Sequence, residues 1–222
     1  MWETFKKKAA TWIPLHVSPR LIVAVYWLLD IFSFMGGGTR AEHKRLNLKR
    51  LSGDETPLAD GYIDDQKKWK DIKFGKADMA FSGCEIMAVY NILLSMGKGA
   101  GAEFMSDLIS EFERSGAALK GMIGSSPRSV IRHLKRHGIS CRLIWSEDKI
   151  SDNVNRAIVM MYNDRRNLYE QIHTVAFIRE NDGFIPHNAR SRERSYATLK
   201  DAIHGVGTDP KTICIIEVFD RD

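Results

Sequence analysis

The sequence predicts an α+β domain, with a helical part packed on a mostly antiparallel sheet. Three observations predict it. Apolar residues recur at helical spacing between residues 84 and 138. Short β-rich runs, separated by polar turns, dominate after residue 139. Hydrophobic residues make up 44% of the chain and charged ones 27%, the balance of a chain that folds rather than stays disordered. The 222 residues suit one domain with an appended segment.

The appended segment comes first. "KKKAATWIPLHVSPRLIVAVYWLLDIFSFMGGG" has a basic start followed by an apolar stretch. Its uninterrupted part, residues 21–29, ends at Asp30 and falls short of the roughly 20 apolar residues that cross a bilayer. Three readings of residues 1–40 stand side by side. They form a helix packed on the globule or on a partner, a membrane-surface or anchoring helix through residues 12–36, or a cleaved signal. Residues 36–60 mix glycine, proline and charge without periodicity and read as a linker or extended arm. The expected division is therefore 1–60, an apolar helix and arm, and 61–222, the main domain.

Within the main domain, Ile86, Met87, Val89, Tyr90, Leu93 and Leu94 define a helix over 84–96, with Gly97 as its stop. A second helix spans 102–116, and a glycine-rich loop, 116–125, follows as a candidate cleft wall or lid. Ser126, Pro127 and Gly138 bracket a third helix. Strands are expected at 139–145, 157–163, 173–180, 183–189 and 212–219, with a short helix at 195–205.

A net charge of +5 permits an anionic partner without demanding one, and no nucleic-acid-binding motif is present. Three cysteines, Cys84, Cys141 and Cys214, are too few and too scattered for a disulfide framework. No CxxC or His/Cys cluster has metal-ligand spacing, so no metal and no cofactor are expected. A reducing, cytoplasm-facing location fits, with or without membrane association.

Cys84 follows Gly83 at the head of the first helix. There, unpaired N–H groups and the helix dipole stabilise a thiolate and a developing oxyanion. Read alone, it fits a small buried residue of a core helix somewhat better than a nucleophile. Thiol catalysis also needs an imidazole and a group that orients it. His133 and His137 sit four apart on one helix and read as a solvated face. His204 ends a short helix. His173 opens the strand "HTVAFI", and the turn "ENDG" joins it to "FIPHNA". A two-residue loop at Asn181-Asp182 places His173 and Asn188 on one face as diagonal neighbours. A three-residue loop would favour His187 instead. Gln66, 18 residues before Cys84, offers an amide N–H to an oxyanion.

The stretch 66–97, with Gln66, Trp69, Phe74, Gly75, Ser82, Gly83, Cys84, Ala88 and Gly97, resembles the opening motif of papain-like cysteine peptidases of the double-glycine leader (bacteriocin-processing) type. "HTVAFIRENDGFIPHNA" is similar to that family's His strand, with His173 and Asn188 at the matching positions. The resemblance covers roughly 61–219 and implies a papain-like fold with a Cys84–His173–Asn188 triad and Gln66 at the oxyanion hole. It departs from the family where Glu85 follows the cysteine, and where Asn188-Ala189 stands for the commoner Asp-Pro. The Glu85 carboxylate would raise the thiol pKa unless it points away.

The expected activity is that of a thiol peptidase or amide hydrolase acting on a peptide or protein through a thioester. A Cys84 thiolate, its proton held by His173, would attack the amide carbonyl. The same triad also serves an acyltransferase or transglutaminase, and an inactive papain-like binding module is the alternative outside enzymology.

Overall fold

The helical periodicity of the first half and the β-rich runs of the second resolve into a five-stranded antiparallel sheet with helices on both faces. The computed structural model describes residues 11–32, 35–58, 61–167, 171–181, 183–189 and 191–220. Helix α1 (Pro19–Leu29) starts at a Ser18 cap with proline in its first turn, and a 3-10 turn, Asp30–Phe32, follows. Next come α2 (Gly37–Leu51), a 3-10 turn at Gln66–Trp69, the small hairpin β1 (Lys73–Phe74) and β2 (Ala77–Asp78), and the one-turn α3 (Met79–Ser82). Then follow α4 (Cys84–Ser95), α5 (Gly101–Arg114), α6 (Pro127–Arg136), β3 (Ser140–Ile144), β4 (Arg156–Tyr162), β5 (Ile172–Glu180), β6 (Gly183–His187), α7 (Leu199–Gly205) and β7 (Lys211–Phe219).

The sheet runs β3-β7-β4-β5-β6, antiparallel at every step. Its central strands are buried on both faces, which is why they read as near-continuous apolar runs. On one face Ile86, Met87 and Val89 of α4 share a core with Ile158, Ala176, Ile178 and Ile216. On the other, Leu199, Ala202 and Ile203 of α7 pack with Val159, Val175, Phe177 and Ile215. Along β4 the residues Ile158, Met160 and Tyr162 alternate onto the α4 side. The α4 core ends at Ile158, and Ile22 and Val23 of α1 pack beside Met160, Tyr162, Ile213 and Cys214. Two helices thus divide one sheet face, and Cys84 lies where they meet.

The β5–β6 register pairs Glu180 with Gly183 and Ala176 with His187, so the hairpin has the two-residue loop that brings His173 and Asn188 to one side. Asp182 lies outside the described residues. The expected arm at 36–60 is different: residues 37–51 are helical. Polar anchors hold α2 rather than an apolar stripe. Asn47 exchanges two hydrogen bonds with the Lys73 backbone, at 2.9 and 2.7 Å. His43 meets the buried Glu113 at 2.6 Å, and the Ser106 hydroxyl donates to the Lys44 carbonyl. Leu51 alone enters the core.

The N-terminal apolar stretch is a helix packed on the sheet. No single helix among the described residues is long and apolar enough to cross a membrane. Its basic start, residues 6–8, lies outside the described residues.

Candidate active site

Local geometry puts Cys84 at a helix start. Asp78 caps α3 by accepting from the Phe81 N–H at 2.8 Å. The chain then turns at Gly83, where a side chain would sit 2.6 Å from the Met79 carbonyl oxygen. That close approach requires glycine, and it lets α4 begin with the cysteine. The sulfur opens on a pocket of about 210 Å³ lined by Tyr26, Phe81, Glu85, Met122, Gly124 and Gln171 among others. The glycine-rich loop expected as a wall does line this pocket.

The Glu85 carboxylate points at the sulfur: the Cys84 thiol donates to Oε2 at 3.3 Å. Glu85 is buried, and its pocket has room only for backbone on one side. A Cβ at Gly124, whose φ is +78°, would lie 2.9 Å from Oε1. Burial raises the Glu85 pKa from 4.5 to about 7, with partial compensation from backbone N–H groups of Glu85 and Ser125. Burial, then the Glu85 charge, push the Cys84 thiol well above its ordinary range. The Thr174 backbone, the next residue after His173, approaches the sulfur and acts the other way. The Thr174 hydroxyl is buried with no well-formed hydrogen bond.

His173 donates from Nε2 to the Asn188 backbone carbonyl at 2.5 Å. A carbonyl only accepts, so Nε2 carries the proton and a neutral ring keeps its lone pair on Nδ1. Asn188 can aim its carbonyl this way because its φ is +60°, a conformation asparagine tolerates. Burial lowers the His173 pKa, and the Asn188 carbonyl partly restores it. The triad assignment implied an imidazolium–thiolate pair. Burial penalises both charges, and the resting groups are a neutral imidazole and a thiol.

The Asn188 side chain does not bond the imidazole. Its Oδ1 accepts from the Gln66 N–H at 3.0 Å, and its Nδ2 donates to Gln66 Oε1 at 3.1 Å. Gln66 in turn donates from Nε2 to the Ala80 carbonyl at 3.0 Å. The structure therefore joins Gln66, Asn188 and His173 in one hydrogen-bonded chain. Cys84 is not hydrogen-bonded to any of them; its thiol goes to Glu85.

Among the other histidines, His133 is not on a solvated face. It is fully buried, stacked on Phe112 at 3.9 Å, with Nδ1 on Glu111 at 3.0 Å. Glu111, on the preceding helix α5, could not be paired with it from the sequence. His187 bonds Asp64 at 2.9 Å and packs on Tyr62. No group of three His, Cys, Asp or Glu side chains among the described residues is placed to hold a metal ion.

Sequence reasoning missed Tyr26 and Asp30. Tyr26 faces Cys84 and Glu85, and burial and those two groups raise its phenol pKa. Asp30 accepts from the Ser126 and Ser129 hydroxyls at the start of α6, the latter at 3.0 Å. The available signal was a phenol and a carboxylate set within an apolar run. No family model matches the chain, and no curated protein matches it.

Proposed function

We propose that the protein is a papain-like, cysteine-dependent amide hydrolase with Cys84 as nucleophile and His173 as base. The observation that carries this reading is the His173 tautomer. With Nε2–H held by the Asn188 carbonyl, Nδ1 is the basic nitrogen, and Cys84 lies beside the strand residue that follows His173. His173 takes the thiol proton as sulfur attacks the amide carbon, and returns it to the leaving amine; water then releases the acyl group. The Cys84 N–H at the start of α4 faces the oxyanion. Asn188 is a positioning residue that acts through its carbonyl, and Gln66 acts through Asn188.

In this reading Glu85 holds the free thiol neutral, so the sulfur is deprotonated only with substrate bound. The raised thiol pKa also favours the second reading, a binding module without turnover. The two separate on one test. A peptide nitrophenyl ester is mixed with the protein and the mass of each cysteine-containing peptide is followed. The hydrolase predicts a transient acyl adduct on Cys84, absent in Cys84→Ala. Equal slow adducts on Cys84 and Cys141 would contradict it.

A further inference from the structure

Among the described residues, the outward face of α1 is left largely uncovered. Leu21, Val25, Trp27 and Leu28 expose about half their surface, and Ile31 and Phe32 are 72% and 60% exposed. Trp12 and Leu15, in the helical residues just before, extend the same surface. On the main body, Phe81 (61% exposed) and Met122 (51%) belong both to this group of exposed apolar side chains and to the lining of the Cys84 pocket. Isolated exposed apolar residues are ordinary, but this density on one segment marks an interaction surface.

Charge selects the partner. Between residues 11 and 32 the single carboxylate is Asp30, and it is turned inward onto Ser126 and Ser129. The charged group set against the outward Trp27 is cationic: Arg128 lies 5.0 Å over its ring. Arg20, on α1 itself, lies 5.9 Å over the half-buried Trp145. A protein interface would match apolar area with pockets. A ridge of Trp, Leu, Ile and Phe flanked by arginines, on a helix too short to span, fits the boundary between headgroups and acyl chains.

We propose that residues 12–32, with Phe81 and Met122, form a docking face for an anionic lipid surface, which sets the mouth of the Cys84 pocket at that surface. The proposal does not depend on catalysis by Cys84. Its test uses the full chain and vesicles of phosphatidylcholine, with or without phosphatidylglycerol, and with brominated phosphatidylcholine as a quencher. The expected result is sedimentation with the phosphatidylglycerol vesicles and quenching of tryptophan fluorescence by the brominated lipid, with the quenched signal reduced in Trp27→Phe and lost in Trp12→Phe/Trp27→Phe. Arg128→Gln lowers the partition coefficient roughly five-fold. The exposed triple variant Val25→Ser/Leu28→Ser/Ile31→Ser abolishes sedimentation without changing the thermal midpoint. Equal binding to both vesicle types would overturn the anionic assignment. Absence of quenching, or a dimer without lipid that the triple variant dissolves, would overturn the docking face itself.

Discussion

Helices α1 and α4 cover the same sheet face in opposite ways. Every residue of α4 from Cys84 to Leu93 is buried, whereas α1 has no buried residue. Both are apolar, and composition alone does not separate them. What separates them is the number of sides each apolar residue can pack. Helix α4 lies between sheet, α5 and α6, and its outward side chains meet other helices. Helix α1 meets the sheet through Ile22 and Val23, reaches the pocket through Tyr26, and leaves the rest outward. The first is core; the second is a cover fastened at a few points. Those points are backbone bonds from Leu119 and Lys120 to the carbonyls of Leu29 and Phe32, together with Asp30 on α6.

Substitutions that truncate matching residues sharpen the contrast. Ile86→Ala in α4 should cost about 2–5 kcal/mol, read as a lower denaturation midpoint, because the cavity cannot collapse in a core closed on all sides. Leu28→Ser in α1 should stay within about 0.5 kcal/mol. Equal costs would erase the distinction between core and cover.

Glu85→Gln probes the one charge that α4 buries. The folded-state pKa of about 7 lies above the ordinary 4.5, so the stability this group contributes is complete below 4.5 and is lost as pH rises through 7. Relative to wild type, the glutamine variant should therefore gain stability over that window, reaching up to about 3 kcal/mol at pH 8. The Cys84 thiol should also ionise at lower pH in the variant, read by alkylation against pH. A stability difference that does not change with pH would refute a buried ionisable Glu85.

Asn91→Ala removes a smaller, purely structural tie. Its side chain exchanges two hydrogen bonds with the Ile63 backbone, at 2.8 and 3.0 Å, and leaving that backbone unpaired should cost about 1–3 kcal/mol in a chemical denaturation series. Tyr26→Ala changes reactivity more clearly than stability. It thins the cover over the pocket, so Cys84 should be alkylated faster than in wild type. An unchanged alkylation rate would show that Tyr26 does not limit access.

The helices between residues 84 and 136 were legible because their apolar residues follow the helical period, and the strands of the five-stranded sheet because they form short β-rich runs between polar turns; the small hairpin β1–β2 and the single turn α3 left no such signal. The β5–β6 register was legible only as a condition: a two-residue loop at "ENDG" puts His173 and Asn188 on one side, a three-residue loop favours His187, and the pairing of Glu180 with Gly183 decides for the first. Helix α2 was not legible. Its anchors are Asn47, His43 and the Lys44 carbonyl, and polar tethers leave no periodic trace. The candidate site was legible in its members but not in its bonds. That Asn188 would orient His173 with its carbonyl depends on a positive φ, which a sequence does not display. Which way Glu85 points depends on the rotation of α4 against Gly124 and β5, set by packing 40 and 90 residues away. Tyr26 and Asp30 were hidden because an apolar run does not say which of its sides will be covered.

The central claim is that the imidazole of His173 activates Cys84 although the two groups rest neutral. The most direct test is the rate at which a peptide nitrophenyl ester acylates Cys84 at neutral pH, in wild type and in His173→Ala, with Cys141 as internal reference. The account predicts a loss of about 10²–10⁴-fold at Cys84 on removal of the imidazole, and no change at Cys141. Acylation of Cys84 at the same rate in both proteins would contradict it.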